Sequence, residues 1–313
     1  MLRPSSVGVA RICLALSVAV ATGVVLAATV GALDSPSTTA PATPAIRTPT
    51  IASGVTTSDR DASSTATRAY RATLAQDAGR LVADVQRIAT AVDAHDLAGA
   101  QSADLAAQAD FDQLRAVDAA DPQNAAGVDA LAGQVLTGDS FGGLHGVERA
   151  LWSGGDASAL LPSLEEQTVV TRELMARQTL SPVTIASVAV SELDWVVDQA
   201  LPGREEQYSH LDLVDVAAGV AGAQQAFTAV QPLACAVEPA ACRGAATDLD
   251  AVRAAVASLG PASSVPDAAL TSPVRRAISQ KADAAANALA GLEAPLVRFG
   301  AAGPQPYGAG GAT

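Results

Sequence analysis

Hydrophobic positions along this chain recur every three or four residues, and no stretch alternates apolar and polar as a half-buried strand would. Tyr70, Leu74, Leu81, Val85 and Ile88 fall close to one stripe and predict a helix ending near Asp93. A second helix is expected from Asp96 to about Ala120. Asp121-Pro122 stops it, because proline pushes the residue before it out of helical geometry. A short helix around 125–135 precedes a Thr137-Gly138-Asp139 turn, and the helix carrying His145 follows. Leu164, Val169, Val170 and Leu174 mark a helix from Ser158 to about Arg177. Ser181-Pro182 opens the next, with serine as N-cap and proline in the first turn, and Pro202-Gly203 ends it after Leu201. Helices from Ser209 to about Val230, Arg243 to Leu259 and Ser272 to about Leu296 complete the set. The expected fold class is all-α: an up-and-down bundle of long helices, or two such bundles fused.

The two ends break this pattern. Arg3 and Arg11 precede an apolar run, Ile12 to Val30, and Val30-Gly31-Ala32 offers small residues for a cut. Residues 1–32 therefore read as an export signal, either removed or kept as an N-terminal anchor. Residues 33–65 are Ser, Thr, Pro and Ala, with Pro36, Pro41, Pro44 and Pro49 opposing regular structure, and read as a flexible linker. The foldable domain is expected over 66–298, and the Gly/Pro/Ala-rich stretch 299–313 as a loose tail. The expected location is the periplasm or the outer face of the cell membrane.

Aromatic residues make up only 3% of the chain, so the core must be built from Ala, Val and Leu. The formal net charge is −13, and setting Arg3 and Arg11 aside leaves 17 basic residues against 32 acidic ones. Such a surface excludes nucleic acid as a partner and suits a cation. Cys235 and Cys242 are the cysteines outside the signal, seven residues apart around Glu238-Pro239. In an oxidising compartment they would pair; a two-cysteine metal site is the alternative, with no His or further Cys nearby to complete it.

The chemistry-bearing motif is His145-Gly146-Val147-Glu148, followed by Trp152. On a helix, residues 145, 148 and 152 share a face, so imidazole and carboxylate stand about 5–6 Å apart at Cβ and could grip one metal ion. Leu144, Val147, Leu151 and Trp152 would exclude water from the pair. The plainer alternative is a histidine and a glutamate bonded to each other beside the core.

A second block, Ala189 to Gln225, holds Glu192, Gly203, Tyr208-Ser209-His210-Leu211-Asp212-Leu213 and Gly222-Ala223-Gln224. With the His145–Glu148 motif and Leu151-Trp152, this order and spacing resembles the imelysin-like family, in its EfeO/EfeM iron-uptake branch, over roughly residues 66–297. The resemblance implies a helical bundle; the cupredoxin domain that full-length EfeO proteins carry before it is not expected in the linker, which lacks Cys, His and Met. It implies capture of a metal ion, with iron first and zinc or copper as alternatives, and monomeric action alongside an inner-membrane iron permease and a haem peroxidase. His145, Glu148 and Glu192 are the implied ligands. Asp112 is a fourth, occupying the first of two family acidic positions three apart, whose second position here is Arg115. Tyr208, His210, Asp212, Arg115 and Trp152 are expected around them.

Each of these residues also has a structural reading. Glu192 lies on an apolar face of Val188, Ala189, Trp195 and Val196, where a carboxylate needs a cation, whether metal or arginine. Ser209 and Asp212 fit a capping arrangement at a helix start. Glu205 and Glu206 read as a solvated loop and His95 as an exposed turn residue. A metallopeptidase is the enzymatic alternative, but His-Glu-x-x-His is absent, and Arg149 stands where the inverted motif needs its second histidine. A polyanion-binding or interaction module with a structural metal is the third reading.

Overall fold

The computed structural model describes residues 56–134 and 141–300. The expected signal, most of the linker, the Thr137-Gly138-Asp139 turn and residues 301–313 of the tail lie outside the described residues. Ten α-helices form among them: α1 Thr57–Asp93, α2 Leu97–Asp112, α3 Ala116–Ala120, α4 Pro122–Asp129, α5 Gly143–Ser153, α6 Leu161–Arg177, α7 Pro182–Trp195, α8 Leu213–Val237, α9 Pro239–Ala257 and α10 Ser272–Leu296. No strand forms among the described residues. The fold class is all-α, as the periodicity predicts.

The predicted stripe of α1 is its buried face: Leu74, Leu81, Val85 and Ile88 are fully enclosed, and Tyr70 nearly so. The helix begins earlier than the linker reading expected. Thr56 and Asp59 form a reciprocal capping box, which satisfies the first orphan N–H groups and extends the helix back into the Ser/Thr-rich stretch.

α1 packs on α2 and α6, while α7, α8, α9 and α10 pack on one another. α8 also touches α1 and α2, so one continuous hydrophobic cluster runs through both groups, and the fused-bundle alternative merges into a single core. Among the described residues, α8 is the helix long and apolar enough to cross a membrane; most of it is buried inside the bundle.

Two predicted helices are interrupted, and both interruptions flank the candidate site. The expected helix 96–120 breaks after Asp112, where the Gln113 side-chain amide takes the Ala109 carbonyl at 2.9 Å and Leu114 N–H turns tightly to Phe111 O. α7 starts as predicted, with Ser181 Oγ capping Thr184 N–H at 3.1 Å, but after Trp195 it widens into a π-helical turn, Val196–Ala200. Such turns often mark functional regions.

Cys235, near the end of α8, and Cys242, in the first turn of α9, are joined as a disulfide with Cα atoms 5.1 Å apart.

Candidate metal centre

α5 carries the motif. Gly143 enters it with φ +68°, and a Cβ there would lie 2.5 Å from the Val128 carbonyl oxygen, so only glycine lets α5 start this close to α4. His145 and Glu148 then face inward together, 2% and 0% exposed. His145 Nδ1 lies 3.4 Å from Glu148 Oε2 and 3.4 Å from the Gln108 amide nitrogen. Its Nε2 lies 3.2 Å from Asp129 Oδ1 and 3.6 Å from Glu205 Oε2.

The loop after α7 closes over this pair. Glu148 Oε1 accepts the backbone N–H of Tyr208 at 2.8 Å and of Ser209 at 2.7 Å. Asp212 Oδ1 accepts the backbone N–H of Glu205 and Glu206, each at 3.2 Å. His210 turns the chain with φ +57° and sends its backbone N–H to the Glu206 carbonyl. Its side chain is exposed, so His210 shapes the loop through its backbone instead of supplying a second imidazole. His95, also at positive φ, is the exposed turn residue expected.

Three expectations about this loop change. Glu205 and Glu206 are buried, at 6% and 0% exposure, because Asp212 pins their backbone inward. Ser209 does not cap α8: its hydroxyl donates to Glu206 Oε2, and α8 begins later, at Leu213. Asp212 spends its carboxylate on the loop instead of on a capping box.

The resulting centre is a belt of buried carboxylates. Asp104, Asp112, Glu148, Glu192, Glu205, Glu206, Asp212 and Asp215 are all buried, and the basic side chains buried with them are Arg115 and His145. Asp129, His145 and Glu205 each offer a ligand atom within 4.8 Å of one another, as do His145, Glu148 and Glu206. Glu192 and Asp112 belong to neither grouping. Glu192, on the last turn of α7, points at α8, where a Cβ on Gly222 would sit 3.1 Å from its carboxylate carbon. Asp112 pairs with Arg115 at 2.8 Å. The Arg115 guanidinium also lies 3.7 Å from Asp129 and 3.7 Å from the Trp195 ring centre. Trp152 is half-buried and packs against the core.

Charge this dense, so little hydrated, shifts protons. Burial drives Asp112 up to about 8 despite the pull of Arg115, with Asp129 and Glu205 adding to the rise. Burial likewise lifts Asp104, Glu192, Glu206 and Asp215 well above the usual carboxylate range. Burial opposes a charge on His145, but hydrogen bonds to Asp129, Glu148 and Glu205 outweigh it and hold the imidazole well above its ordinary value. Several oxygens, including both of Asp104 and one of Glu206, have no hydrogen-bond donor. A donor set of one imidazole and carboxylate oxygens suits a first-row transition cation and offers nothing to thiolate-seeking ions.

The sequence reading missed Asp129, Glu205, Glu206 and Asp104. Asp129 ends a short helix that Asp121 caps and Pro122 begins, and nothing local marks it. The adjacent glutamates carry a loop composition, and their burial depends on Glu148 and Asp212, which are remote in sequence. Asp104 had one available signal, a charge on the apolar side of α2 among Ala100, Ala103 and Ala107.

The comparisons bear on the same elements. A segment of 107 residues is 30% identical to the iron uptake system component EfeM of Bacillus subtilis (strain 168). It covers 33% of this chain and spans 28% of that protein's length. The imelysin family matches residues 66–296, a span running from within α1 to the end of α10 and containing every residue of the candidate centre, and the chain belongs to that family.

Proposed function

We propose that this protein captures a metal cation, iron in the first instance, outside the cytoplasmic membrane and hands it to an uptake system. The observation that carries the reading is the buried belt itself. Carboxylates with undonated oxygens, converging on one imidazole, are costly to bury unless a cation or protons neutralise them. The similarity to an iron uptake component supports iron as cargo, with zinc and copper as competing cations for the same donors. His145 and Glu148 are the core of the ligand set in this reading. The partners would be an inner-membrane iron permease and a haem peroxidase, with the protein itself monomeric.

The apolar N-terminal run, Ile12 to Val30, would direct export and either be cut or stay as an anchor. The Cys235–Cys242 bridge fits an oxidising compartment.

A cleft of about 600 Å³ lined by Arg115, Asp118, Asp129, Trp195, Asp198 and Glu205 presents carboxylates to an entering cation, and two of them, Asp129 and Glu205, are the neighbours of His145 Nε2. Calorimetric titration with ferrous iron under anaerobic conditions, repeated with zinc and copper, tests capture. The protein should bind the ion and His145→Ala should not. Bound metal should stabilise the fold by about 2.7 kcal/mol at 100 times its dissociation constant. Equal affinity in His145→Ala would end this reading.

A further inference from the structure

The loop that carries Glu205 and Glu206 has a second fastening, to the short 3-10 turn Asp267–Ala269 between α9 and α10. Asp212 donates its backbone N–H to Asp267 Oδ1 at 3.2 Å, and Asp267 donates its own to the His210 carbonyl at 3.0 Å. These bonds bring two carboxylates together. A Cβ built on Gly203, at φ +78°, would lie 3.4 Å from Asp267 Oδ2 and 3.7 Å from Asp212 Oδ2, so both oxygens border the same space beside that glycine. Asp212 is 0% exposed, and its Oδ2 meets no donor while Oδ1 holds the amides of Glu205 and Glu206.

Two carboxylates this close repel unless something positive lies between them. Burial first, and the Asp267 carboxyl second, lift Asp212 to about 8, so a proton is one candidate for the bridge. Arg275 stands nearby, with Nη2 3.8 Å from the same point. Its guanidinium is turned to the backbone, Nε to Leu270 O at 2.7 Å and Nη2 to Asp267 O at 3.5 Å. One guanidinium against two carboxylates leaves a negative charge over. The donors are all oxygens, and Asp267 is half-buried, where water can complete a coordination shell. Calcium accepts such irregular shells of carboxylate and water, magnesium demands an octahedron, and transition ions prefer imidazole.

We propose that Asp212 Oδ2 and Asp267 Oδ2 hold a calcium-type cation beside Gly203, a structural site separate from the His145 centre, which fastens the loop bearing Glu205 and Glu206. The site does not rest on the capture reading and would stand if His145 bound no metal. A dissociation constant of about 10⁻⁴–10⁻³ M is expected, the range of extracellular calcium modules.

The test is a calcium titration of the full chain, first stripped with chelator, at about pH 8.5, where the competing proton is weakly held. Calcium at about ten times its dissociation constant should raise the melting temperature by about 3–6 °C, and magnesium should do less. Asp267→Asn keeps an acceptor for the Asp212 N–H and removes the charge. It should lose the calcium response and, without calcium, melt no lower than the native protein. Amide NMR of the native protein should show calcium shifts centred on Gly203, Asp212 and Asp267, and the response should persist in His145→Ala. No response to millimolar calcium overturns the proposal and leaves a proton as the bridge. An equal response in Asp267→Asn, or its loss in His145→Ala, places the ion elsewhere and overturns it too. Should Asp267→Asn not fold, the amide shifts decide, and shifts confined to the neighbours of His145 overturn it.

Discussion

Glu148, fully buried on α5, accepts the backbone N–H of Tyr208 at 2.8 Å, and through the same oxygen that of Ser209 at 2.7 Å. The helix that carries the motif thus also holds the loop that brings Glu205 and Glu206 to it. Glu148→Ala should therefore do two things at once. It removes a proposed metal ligand, and it orphans two N–H groups at about 1–3 kcal/mol each where they stay buried. The melting temperature should fall and amide exchange at Tyr208 and Ser209 should quicken, even without metal. His145→Ala should spare both readouts. Equal exchange at the two amides in Glu148→Ala and native protein would show that the carboxylate does not hold the loop.

Glu192 separates from the His145 groupings because α7 ends against α8, with Gly222 leaving the space its carboxylate fills. An added Cβ would lie 3.1 Å from Glu192 Cδ and Oε1 and 3.4 Å from Gln113 Cα. Gly222→Ala should destabilise by about 1–3 kcal/mol through overpacking. Glu192→Gln should stabilise the metal-free protein, since burial and Asp112 oppose its charge more than Arg115 supports it. Thermal melts of both variants in the presence of a chelator check this. A Glu192→Gln that melts lower than the native protein would mean that Arg115 depends on that charge.

The helices were legible in the sequence because their burial stripes are local: α1, α7 and α10 lie close to where periodicity, caps and prolines put them. The His145–Glu148 pair was legible for the same reason, as a three-residue spacing on one helix. What surrounds the pair was not. Asp104, Asp129, Glu205 and Glu206 come from α2, α4 and a loop, and they converge only through tertiary contacts such as Glu148 with Tyr208 and Asp212 with Glu205. A helix break at Gln113 and a π turn after Trp195 arise from side-chain competition and packing that no periodicity records.

The disulfide should matter for the fold and not for the ion. Cys235 and Cys242 close a short loop between α8 and α9, where α8 packs on α9. In the chain-entropy picture a loop this short contributes about 2–3 kcal/mol. Reduction, or Cys235→Ser with Cys242→Ala, should lower the melting temperature while leaving metal affinity within about twofold. Thiol alkylation under denaturing conditions followed by mass spectrometry reads the native redox state, and two alkylated cysteines in exported protein would rule the bridge out.

The last prediction concerns pH, and its sign is opposite to that of an ordinary acidic protein. Asp112 and Asp212 are raised to about 8, mainly by burial, and Asp84 to about 6, also mainly by burial. Groups raised in the fold contribute stability that is fully present below their unfolded values, near 4, and is lost as pH climbs through 6 to 8. His145, also raised, acts in the same direction, its contribution being complete below about 6.5. The metal-free protein should therefore melt highest in mild acid and lose stability steadily from pH 5 to 9. A cation at the proposed centre must displace the protons of the carboxylates and imidazole that hold it, so affinity should rise with pH and binding should release protons, an effect visible as buffer-dependent heats in calorimetry. Asp112→Asn should flatten the upper part of the melting curve against pH, because it removes one of the two groups that titrate near 8. A melting temperature that stays level or rises from pH 5 to 9 in chelator would mean that the carboxylate belt is hydrated and charged without metal, and the demand for a cation would vanish with it.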